Sequence, residues 1–267
     1  MTAAQFAHQA GNDAALAQAR DARTLLQSAG LKATLHDVAS LSETERDEMW
    51  WLYSRFYAGT SRIRFLADLG GKDTALILRD ELNRLQGFST LALSTTWFEG
   101  EPVRVLFSGD TIVERAHWGS QVLAFNWLRH AGAVQRLQPD VPLYWFLIVK
   151  GQRTYRYLPT FARTFLPDWR SVAEPRLNRL LASLATERFG DAYDPLAGLI
   201  RFREPHGHLA PEWAQVSERE ASREDVQFFL SRNPGYAQGD ELACLCELSP
   251  ANLRPLARRI FAGEVSG

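Results

Sequence analysis

The feature that most constrains the fold is an uninterrupted apolar run, PLYWFLIV, at residues 142–149. Its length is that of a strand, and the absence of alternation is typical of a strand that is covered on both faces. Three β-rich runs precede it, at 74–80, 87–95 and 103–113, with turn-sized pieces between them. Such short connections join antiparallel neighbours. We therefore expect an antiparallel meander that leads into a covered central strand.

Helical signals lie on either side of these runs. Ser42 and Glu45 have the spacing of a capping box, in which each side chain satisfies a free backbone amide at a helix start. The other elements predicted up to residue 165 are a strand at 31–38 and helices at 61–69, 122–132 and 152–165, with Gly132 closing the second of these helices. The pattern predicts an α/β (α+β) fold with a mixed, mostly antiparallel central sheet flanked by helices.

The chain divides into three predicted regions. Residues 1–30 are expected to form an N-terminal helical cap, residues 31–168 the core, and residues 169–267 an extension packed on that core. Within the extension the sequence predicts helices at 177–185 and 222–230, strands at 196–203 and 241–248, and a last helix that begins at Ser249-Pro250.

Charge and cysteine usage argue against several classes of protein. Lys and Arg number 30 against 31 Asp and Glu, so the net charge of -1 gives no basic field for a nucleic-acid partner. No segment reaches the ~18 apolar residues that a membrane-spanning helix needs. Cys244 and Cys246 are placed where a disulfide between them would be strained, and with His206 and His208 they lack the spacing of a common zinc module. We therefore expect a soluble protein of the reducing cytoplasm, without a metal ion.

The segment best suited to bind a ligand is the corner between the third β-rich run and the helix that follows it. Gly119 lets a ligand approach the backbone, Ser120 can cap the helix, and Gln121 can add side-chain donors. The free amides of a helix start and the helix dipole together attract anions. An ordinary tight turn with a serine cap is the alternative, because one glycine is a weak signal for a phosphate loop.

The loop Ala116–Gln121 and the order of elements over residues 31–167 resemble the GNAT acyltransferase superfamily. In that family the loop reads Arg/Gln-x-x-Gly-x-Gly/Ala and holds the pyrophosphate of coenzyme A, while the pantetheine arm lies between two splayed strands. Only Gly119 matches the loop pattern here. The resemblance implies no tightly bound cofactor, with acyl-CoA or a carrier-protein-borne pantetheine as co-substrate. It implies donor contacts at Arg115, Trp118, Gly119, Ser120 and Gln121.

Ser108, Gly109 and Asp110 lie inside the third β-rich run, where a glycine often marks a bulge. A bulge here would turn backbone donors toward a thioester carbonyl, where negative charge grows during acyl transfer. Asp110, Glu114 and His117 are then the nearby groups able to take a proton from an amine, and Glu114 is the preferred base. A plain strand kink, a turn cap at Asp110 and a loop histidine are the alternatives.

Many GNAT members carry Asn-x-x-Ala-x-x-x-Tyr after their fifth strand, and its tyrosine can protonate the departing thiolate. In this chain Lys150 and Arg153 stand at the Asn and Ala positions, and Tyr157 falls at the tyrosine position. Tyr155 is a possible substitute for it. A tyrosine without a catalytic role, in the core or on the surface, is the alternative.

The aromatic content, with 15 Phe, 8 Trp and 7 Tyr, is compatible with a hydrophobic substrate pocket. In the GNAT family the first two helices form a wall of the acceptor site. The resemblance therefore implies substrate contacts at Trp51 and Phe56, and we add Ser108 and Tyr155 to this set. Packing in the core is the alternative for these rings. The aromatic content favours a lipid-like acyl chain or a bulky acceptor over acetyl transfer to a small amine.

Taken with the resemblance, these observations predict an acyltransferase that moves an acyl group from a pantetheine thioester to an amine by direct attack. No Gly-x-Ser-x-Gly motif is present and neither cysteine has a histidine nearby in sequence, so no covalent enzyme intermediate is expected. The expected partners are a small-molecule acyl donor, or an acyl carrier protein in its place, and an amine acceptor. The competing hypothesis is a non-catalytic binding module for a ligand or protein on the same scaffold.

Overall fold

The computed structural model of the chain describes residues 30–171, 174–204 and 206–264. The helix predicted within residues 1–30 therefore lies outside the described residues. The strands are β1 (Lys32–Asp37), β2 (Tyr57–Ala58), β3 (Thr74–Arg79), β4 (Leu85–Phe98), β5 (Glu101–Val113), β6 (Leu143–Val149), β7 (Tyr193–Asp194), β8 (Leu199–Ile200), β9 (His208–Leu209) and β10 (Glu241–Glu247). The helices are α1 (Glu43–Phe56), α2 (Arg62–Gly70), α3 (Val122–Leu137), α4 (Gln152–Tyr155), α5 (Tyr157–Phe161), α6 (Pro175–Phe189), α7 (Pro211–Ala214), α8 (Glu218–Ala221), α9 (Glu224–Arg232) and α10 (Pro255–Ala262).

A central sheet with strand order β1-β3-β4-β5-β6-β10-β8-β7 organises the molecule. All its neighbours pair antiparallel except β5 and β6, which are parallel. This arrangement confirms the predicted mixed, mostly antiparallel sheet. A separate two-stranded ribbon joins β2 to β9.

Both faces of β6 are covered, as its apolar sequence predicts. Trp145 and Leu147 belong to the cluster that contains helices α3 and α10, whereas Tyr144 and Phe146 belong to the cluster that contains α6. Strand β10 lies on the far side of β6, with Leu242 opposite Val149. The last third of the chain therefore supplies a strand of the central sheet.

The capping box at the start of α1 is confirmed. The Ser42 hydroxyl accepts from the Glu45 amide at 3.2 Å, and the Glu45 carboxylate accepts from the Ser42 amide at 2.8 Å. This helix and α2 pack on the face of the sheet opposite α3, around Phe65 and Phe88.

The parallel pairing of β5 with β6 runs from Arg104 opposite Leu143 to Ser108 opposite Leu147 and ends there. Strand β5 continues to Val113, so the two strands are unpaired beyond this point. The gap between them opens at the Ser108-Gly109-Asp110 segment that the sequence singles out.

Two predicted helices differ from the structure for reasons that involve proline. The segment 152–165 forms the short helices α4 and α5, which meet at Arg156. Pro159 explains this break, because a proline ring clashes with the carbonyl four residues earlier and offers no amide. The last helix begins at Pro255, where a missing amide costs nothing, and not at Ser249. Ser249 instead closes a turn, in which its carbonyl accepts from the Leu253 amide at 3.0 Å.

Gly132 does not end helix α3, which continues to Leu137. This glycine lies at the crossing of α3 and α10, where an added Cβ would overlap the carbonyl group of Phe261. The glycine is therefore a packing residue, and the prediction that it closes the helix is wrong.

Gly132→Ala is expected to lower the free energy of unfolding by about 1–3 kcal/mol, because α10 must move to make room for the methyl group. Urea denaturation followed by circular dichroism measures this change. Gly70→Ala is the matched control, since Gly70 is also helical and an added Cβ there meets nothing within 4 Å. Equal stability of the two variants would contradict the close packing of the helices.

Among the described residues, the structure contains no helix that is both long enough and apolar enough to cross a membrane.

Candidate active site

Two clefts and a small cavity meet where β5 and β6 separate. We call them the loop cleft, of about 520 Å³, the charged pocket, also of about 520 Å³, and the inter-strand cavity, of about 30 Å³. Thr111 and Thr154 line all three. The loop cleft and the charged pocket therefore share part of their walls at the gap between the strands.

The loop cleft contains the predicted corner between β5 and α3. Gly119 has φ of 98°, a left-handed conformation that favours glycine, and the space beside its Cα is open. The Ser120 hydroxyl accepts from the Val122 amide at 3.4 Å, and the Gln121 side chain donates to the Gly119 carbonyl at 3.2 Å. The first-turn amides of α3 have no intrahelical partners and face the end of the helix. The local geometry is that of an anion-binding helix start.

Trp118 lines the loop cleft without filling it. Its indole N–H donates to the Val113 carbonyl at 2.8 Å, and its ring meets the edge of Trp213 with the ring centroids 5.5 Å apart. The guanidinium of Arg153 lies 4.3 Å from the centroid of the Trp118 ring. These contacts hold the indole to one wall and leave the cleft open.

Two arginines, Arg153 and Arg156, line this cleft together with His117, whereas Arg115 is not among the lining residues. Arg115 instead lies over the ring of Trp213, 5.8 Å from its centroid. The guanidinium groups inside the cleft are therefore those of the two arginines that follow β6.

The inter-strand cavity is small and mostly apolar. Trp127 and Trp145 lie with ring centroids 4.5 Å apart, and the indole N–H of Trp145 donates to the Ser108 hydroxyl at 2.8 Å. Tyr157 lines both this cavity and the loop cleft, and burial raises the pKa of its phenol. The phenol therefore keeps its proton at neutral pH and can donate it.

The charged pocket lies on the other side of the gap, against helices α1 and α2. Lys72 pairs with Asp68 at 2.6 Å, and Lys150 pairs with Glu241 at 3.1 Å. Lys72, Lys150 and Glu241 are almost fully buried. Asp110 lies in the same pocket, where its charge interacts with those of both lysines.

A bulge turns Asp110 into this pocket. Along β4, Ser89 and Leu91 are two residues apart, whereas their partners on β5, Thr111 and Ser108, are three apart. The predicted bulge at Gly109-Asp110 is thus confirmed. The extra residue reverses the alternation of side chains along β5, so that Asp110 lines the charged pocket together with Phe107.

The acidity of Asp110 is altered by this environment. Burial, followed by the negative charge of Asp68, raises the pKa of its carboxyl group, which the positive charges of Lys150 and Lys72 partly offset. The net effect is to raise the pKa of Asp110 to about 7. A carboxylate with this pKa can accept a proton from an ammonium ion at neutral pH.

Gly109 makes room for the buried lysine beside it. A Cβ at this position would overlap the side chains of Lys72 and Thr90. The glycine therefore allows these side chains to pack against the backbone of β5, in addition to favouring the bulge.

Sequence reasoning missed Asp68, Lys72 and Glu241. Glu241 offered one signal, because it is a carboxylate directly before the apolar run 242–246. Asp68 and Lys72, four residues apart across the Gly70-Gly71 helix end, looked like an ordinary surface pair.

Of the remaining predicted site residues, Glu114 and Trp51 lie outside the clefts, whereas Phe56 lines one of them. Glu114 forms an ion pair with Arg55, and the clefts are lined by other residues. Trp51 is 68% exposed on the outer side of α1. Phe56 lines the loop cleft and stacks on Trp213, with the ring centroids 5.0 Å apart.

Tyr155 is fully buried, and its hydroxyl donates to the Pro167 carbonyl at 2.7 Å. It packs among core aromatic rings that include Phe165 and Phe229. The expectation that it contacts substrate is therefore corrected, because its side chain is committed to the core.

The possible metal ligands of the C-terminal third do not converge within the described part of the chain, which contains no group of three or more His, Cys, Asp or Glu able to hold a metal ion. Cys244 and Cys246 are free thiols buried in the core.

No protein-family model matches the chain, and no curated protein matches its sequence. Several solved structures are similar to parts of the fold. A conserved Enterococcus faecalis protein of unknown function, a probable N-acyltransferase, aligns with 15% identity over 51% of this chain and 33% of its own, with a TM-score of 0.37. A GNAT family N-acetyltransferase from Escherichia coli, solved in complex with CoA, aligns with 12% identity over 51% of this chain and 72% of its own, with a TM-score of 0.34.

The N-myristoyltransferase of Saccharomyces cerevisiae with bound myristoyl-CoA aligns over more of the chain. It shows 11% identity over 68% of this chain and 46% of its own, with a TM-score of 0.35. The chain thus spans about a third of the Enterococcus faecalis protein and under half of the yeast protein. Similarity at this level is confined to part of the fold.

Proposed function

We propose that this chain is a divergent member of the GNAT superfamily and transfers an acyl group from a pantetheine thioester to an amine. The observation that carries the proposal is the junction of the two clefts. An anion-binding helix start lies on one side of the gap between β5 and β6, and a buried carboxylate of raised pKa lies on the other. A phosphate-bearing thioester and an amine can therefore meet at the Thr111 and Thr154 boundary.

The donor is assigned to the loop cleft. Its phosphates would accept from the first-turn amides of α3 and from the guanidinium groups of Arg153 and Arg156. Acyl-CoA is the preferred donor because these cations lie in the cleft itself. An acyl carrier protein remains the alternative, since the same basic helices can attract an acidic surface.

The reaction follows from the positions of Asp110 and Tyr157. Asp110 takes a proton from the acceptor ammonium, and the neutral amine attacks the thioester carbonyl, forming a C–N bond. Backbone amides at the bulge stabilise the resulting oxyanion. The C–S bond then breaks, and the departing thiolate takes the phenolic proton of Tyr157. The nitrogen of the intermediate gives up its extra proton to the resulting phenolate through water, which leaves a neutral amide and restores Tyr157. Asp110 replaces Glu114 as the proposed base, because Glu114 is held by Arg55 outside the clefts.

We expect a short acyl group. The inter-strand cavity holds about 30 Å³, which is room for only one or two groups the size of a water molecule. Trp127 and Trp145 close its far end. Acetyl-CoA is accordingly the first donor to examine.

Binding of acetyl-CoA tests the donor site. We expect tryptophan fluorescence to change on titration, because Trp118 and Trp213 line the loop cleft. Gly119→Glu is expected to weaken binding by about 10- to 100-fold, since it places a negative charge against the donor's phosphates. Gly119→Gln is the matched control, because it brings the same backbone strain at φ of 98° without the charge. Equal binding by the two variants, or no binding of acetyl-CoA by the wild type, would count against this donor.

A further inference from the structure

The charged pocket contains more cations than carboxylates. Its cations are Arg64, Lys72, Lys150 and Arg188, and its carboxylates are Asp68, Asp110 and Glu241. The two lysines are matched by Asp68 and Glu241, and Arg64 is held at 3.2 Å by Glu204. Arg188 is the cation of the pocket that is not a member of these ion pairs.

Arg188 is held by an aromatic ring rather than by a carboxylate. Its guanidinium lies 3.8 Å from the centroid of the Phe107 ring. Among the described residues the charges of Asp68 and Asp73 act on it from a distance, and neither carboxylate is in direct ion-pair contact with it. A guanidinium stacked on a ring keeps its N–H edge available for a planar anion, which a carboxylate fits with two parallel hydrogen bonds. Arg188 is therefore suited to bind a carboxylate that enters the pocket.

Arg188 and Asp110 both line the charged pocket, which holds about 520 Å³. The bulge turns Asp110 into this pocket, where Arg188 lies on the ring of Phe107. A compound of amino-acid size can place an amine at Asp110 and a carboxylate at Arg188.

The rest of the wall is aromatic. Tyr53 and Tyr57 stack with ring centroids 4.6 Å apart, and Phe189 and Phe202 line the opposite side. These surfaces suit the apolar part of a small acceptor.

We propose that the acceptor is an amine that also carries a carboxylate, as in an amino acid, and that Arg188 selects it. This inference rests on the proposed function, because it assigns the charged pocket to the acceptor. A polyamine fits less well, since its second cation would meet the guanidinium of Arg188 at the place where the carboxylate is proposed to bind. Specificity for the acceptor would then come from helix α6, in the C-terminal third of the chain.

Isothermal titration calorimetry with two matched pairs of amines tests the inference without requiring turnover. The pairs are L-phenylalanine with phenethylamine and L-lysine with 1,5-diaminopentane. In at least one pair we expect the carboxylated member to bind about 10- to 100-fold more tightly, and Arg188→Met to remove this difference. Arg188→Lys is expected to restore part of it.

Arg179→Met is the matched control, because Arg179 is on the same helix and pairs with Glu99 outside the pocket. It should keep the full preference for the carboxylated member. The inference is overturned if neither carboxylated compound binds, if both decarboxylated amines bind as tightly, or if the preference survives in Arg188→Met. Loss of acetyl-CoA binding with the preference intact would instead overturn the proposed donor and leave the carboxylate site standing.

Discussion

Asp110→Asn is expected to slow acyl transfer by about 100- to 10,000-fold, the usual contribution of a positioned general base. The substitution keeps the shape of the side chain but removes its ability to accept a proton. Binding of acetyl-CoA should be unaffected, because Asp110 lies in the charged pocket and not in the loop cleft. The measurement is release of free thiol from acetyl-CoA in the presence of an amine acceptor.

The pH profile gives this prediction a second readout. Asp110 acts as a base only when deprotonated, and its pKa is raised to about 7. The rate is therefore expected to fall about tenfold for each pH unit below 7 and to level off above it. The residual rate of Asp110→Asn should not show this fall below pH 7.

Glu114→Gln separates the two candidate bases. It is the same change of carboxylate to amide at the position that the sequence favoured, but Glu114 is paired with Arg55 outside the clefts. We expect its rate, and the fall of that rate below pH 7, to stay close to those of the wild type. The opposite pattern, with a slow Gln variant and an unaffected Asn variant, would return the role of base to Glu114.

Arg104→Met is expected to lower the free energy of unfolding by about 3 kcal/mol, the largest stability effect that we predict for a single side chain. Arg104 is on β5 and only 1% exposed. Its guanidinium donates to the carbonyls of Val134 at 2.9 Å, Gln138 at 2.8 Å and Val141 at 3.1 Å, and to the side-chain oxygen of Gln135 at 2.8 Å.

These acceptors lie at and just beyond the end of α3, where the last carbonyls of a helix have no intrahelical partners and carry partial negative charge. Burial lowers the pKa of Arg104 to about 10, so the group is still charged at neutral pH. Methionine fills a similar volume but leaves buried carbonyls without donors, at a cost of about 1–3 kcal/mol for each group.

Urea denaturation measures the loss, and Arg203→Met is the control. The Arg203 side chain is 85% exposed and makes a single ion pair at 3.7 Å, so its removal should change stability by less than about 0.5 kcal/mol. If Arg104→Met were as stable as this control, the guanidinium would not be what holds the end of α3 against β5.

Local sequence patterns predicted those features that depend on neighbouring residues. The apolar run of β6, the Ser42 and Glu45 capping box, and the glycine bulge in β5 all follow from the conformational preferences of a few adjacent residues. The corner at Gly119 belongs to the same group, because the start of a helix exposes amides whatever surrounds it.

Features that join distant segments were not predictable in this way. The helix signal at Gly132 pointed to a helix end, because nothing nearby in sequence shows that α10 crosses α3 at this residue. Glu114 looked the better base for the same reason, since its partner Arg55 lies on a helix far earlier in the chain.

The sequence by itself determined most of the long strands and helices, the corner at Gly119 and the position of the bulge, since each of these depends on interactions within a few residues. It did not predict the short elements β2, β7, β9, α7 and α8. Only the tertiary structure decided the chemistry of the charged pocket. Burial and the negative charges of Asp68 and Glu241 raise the pKa of Asp110, and the positive charges of Lys150 and Lys72 partly offset that rise. These four charged residues come from three separate parts of the chain, namely helix α2 and its end, the end of β6, and β10. Charges interact through space, and residues whose charges interact can be far apart in the sequence. The pocket can therefore be recognised only once the structure has placed β10 beside β6.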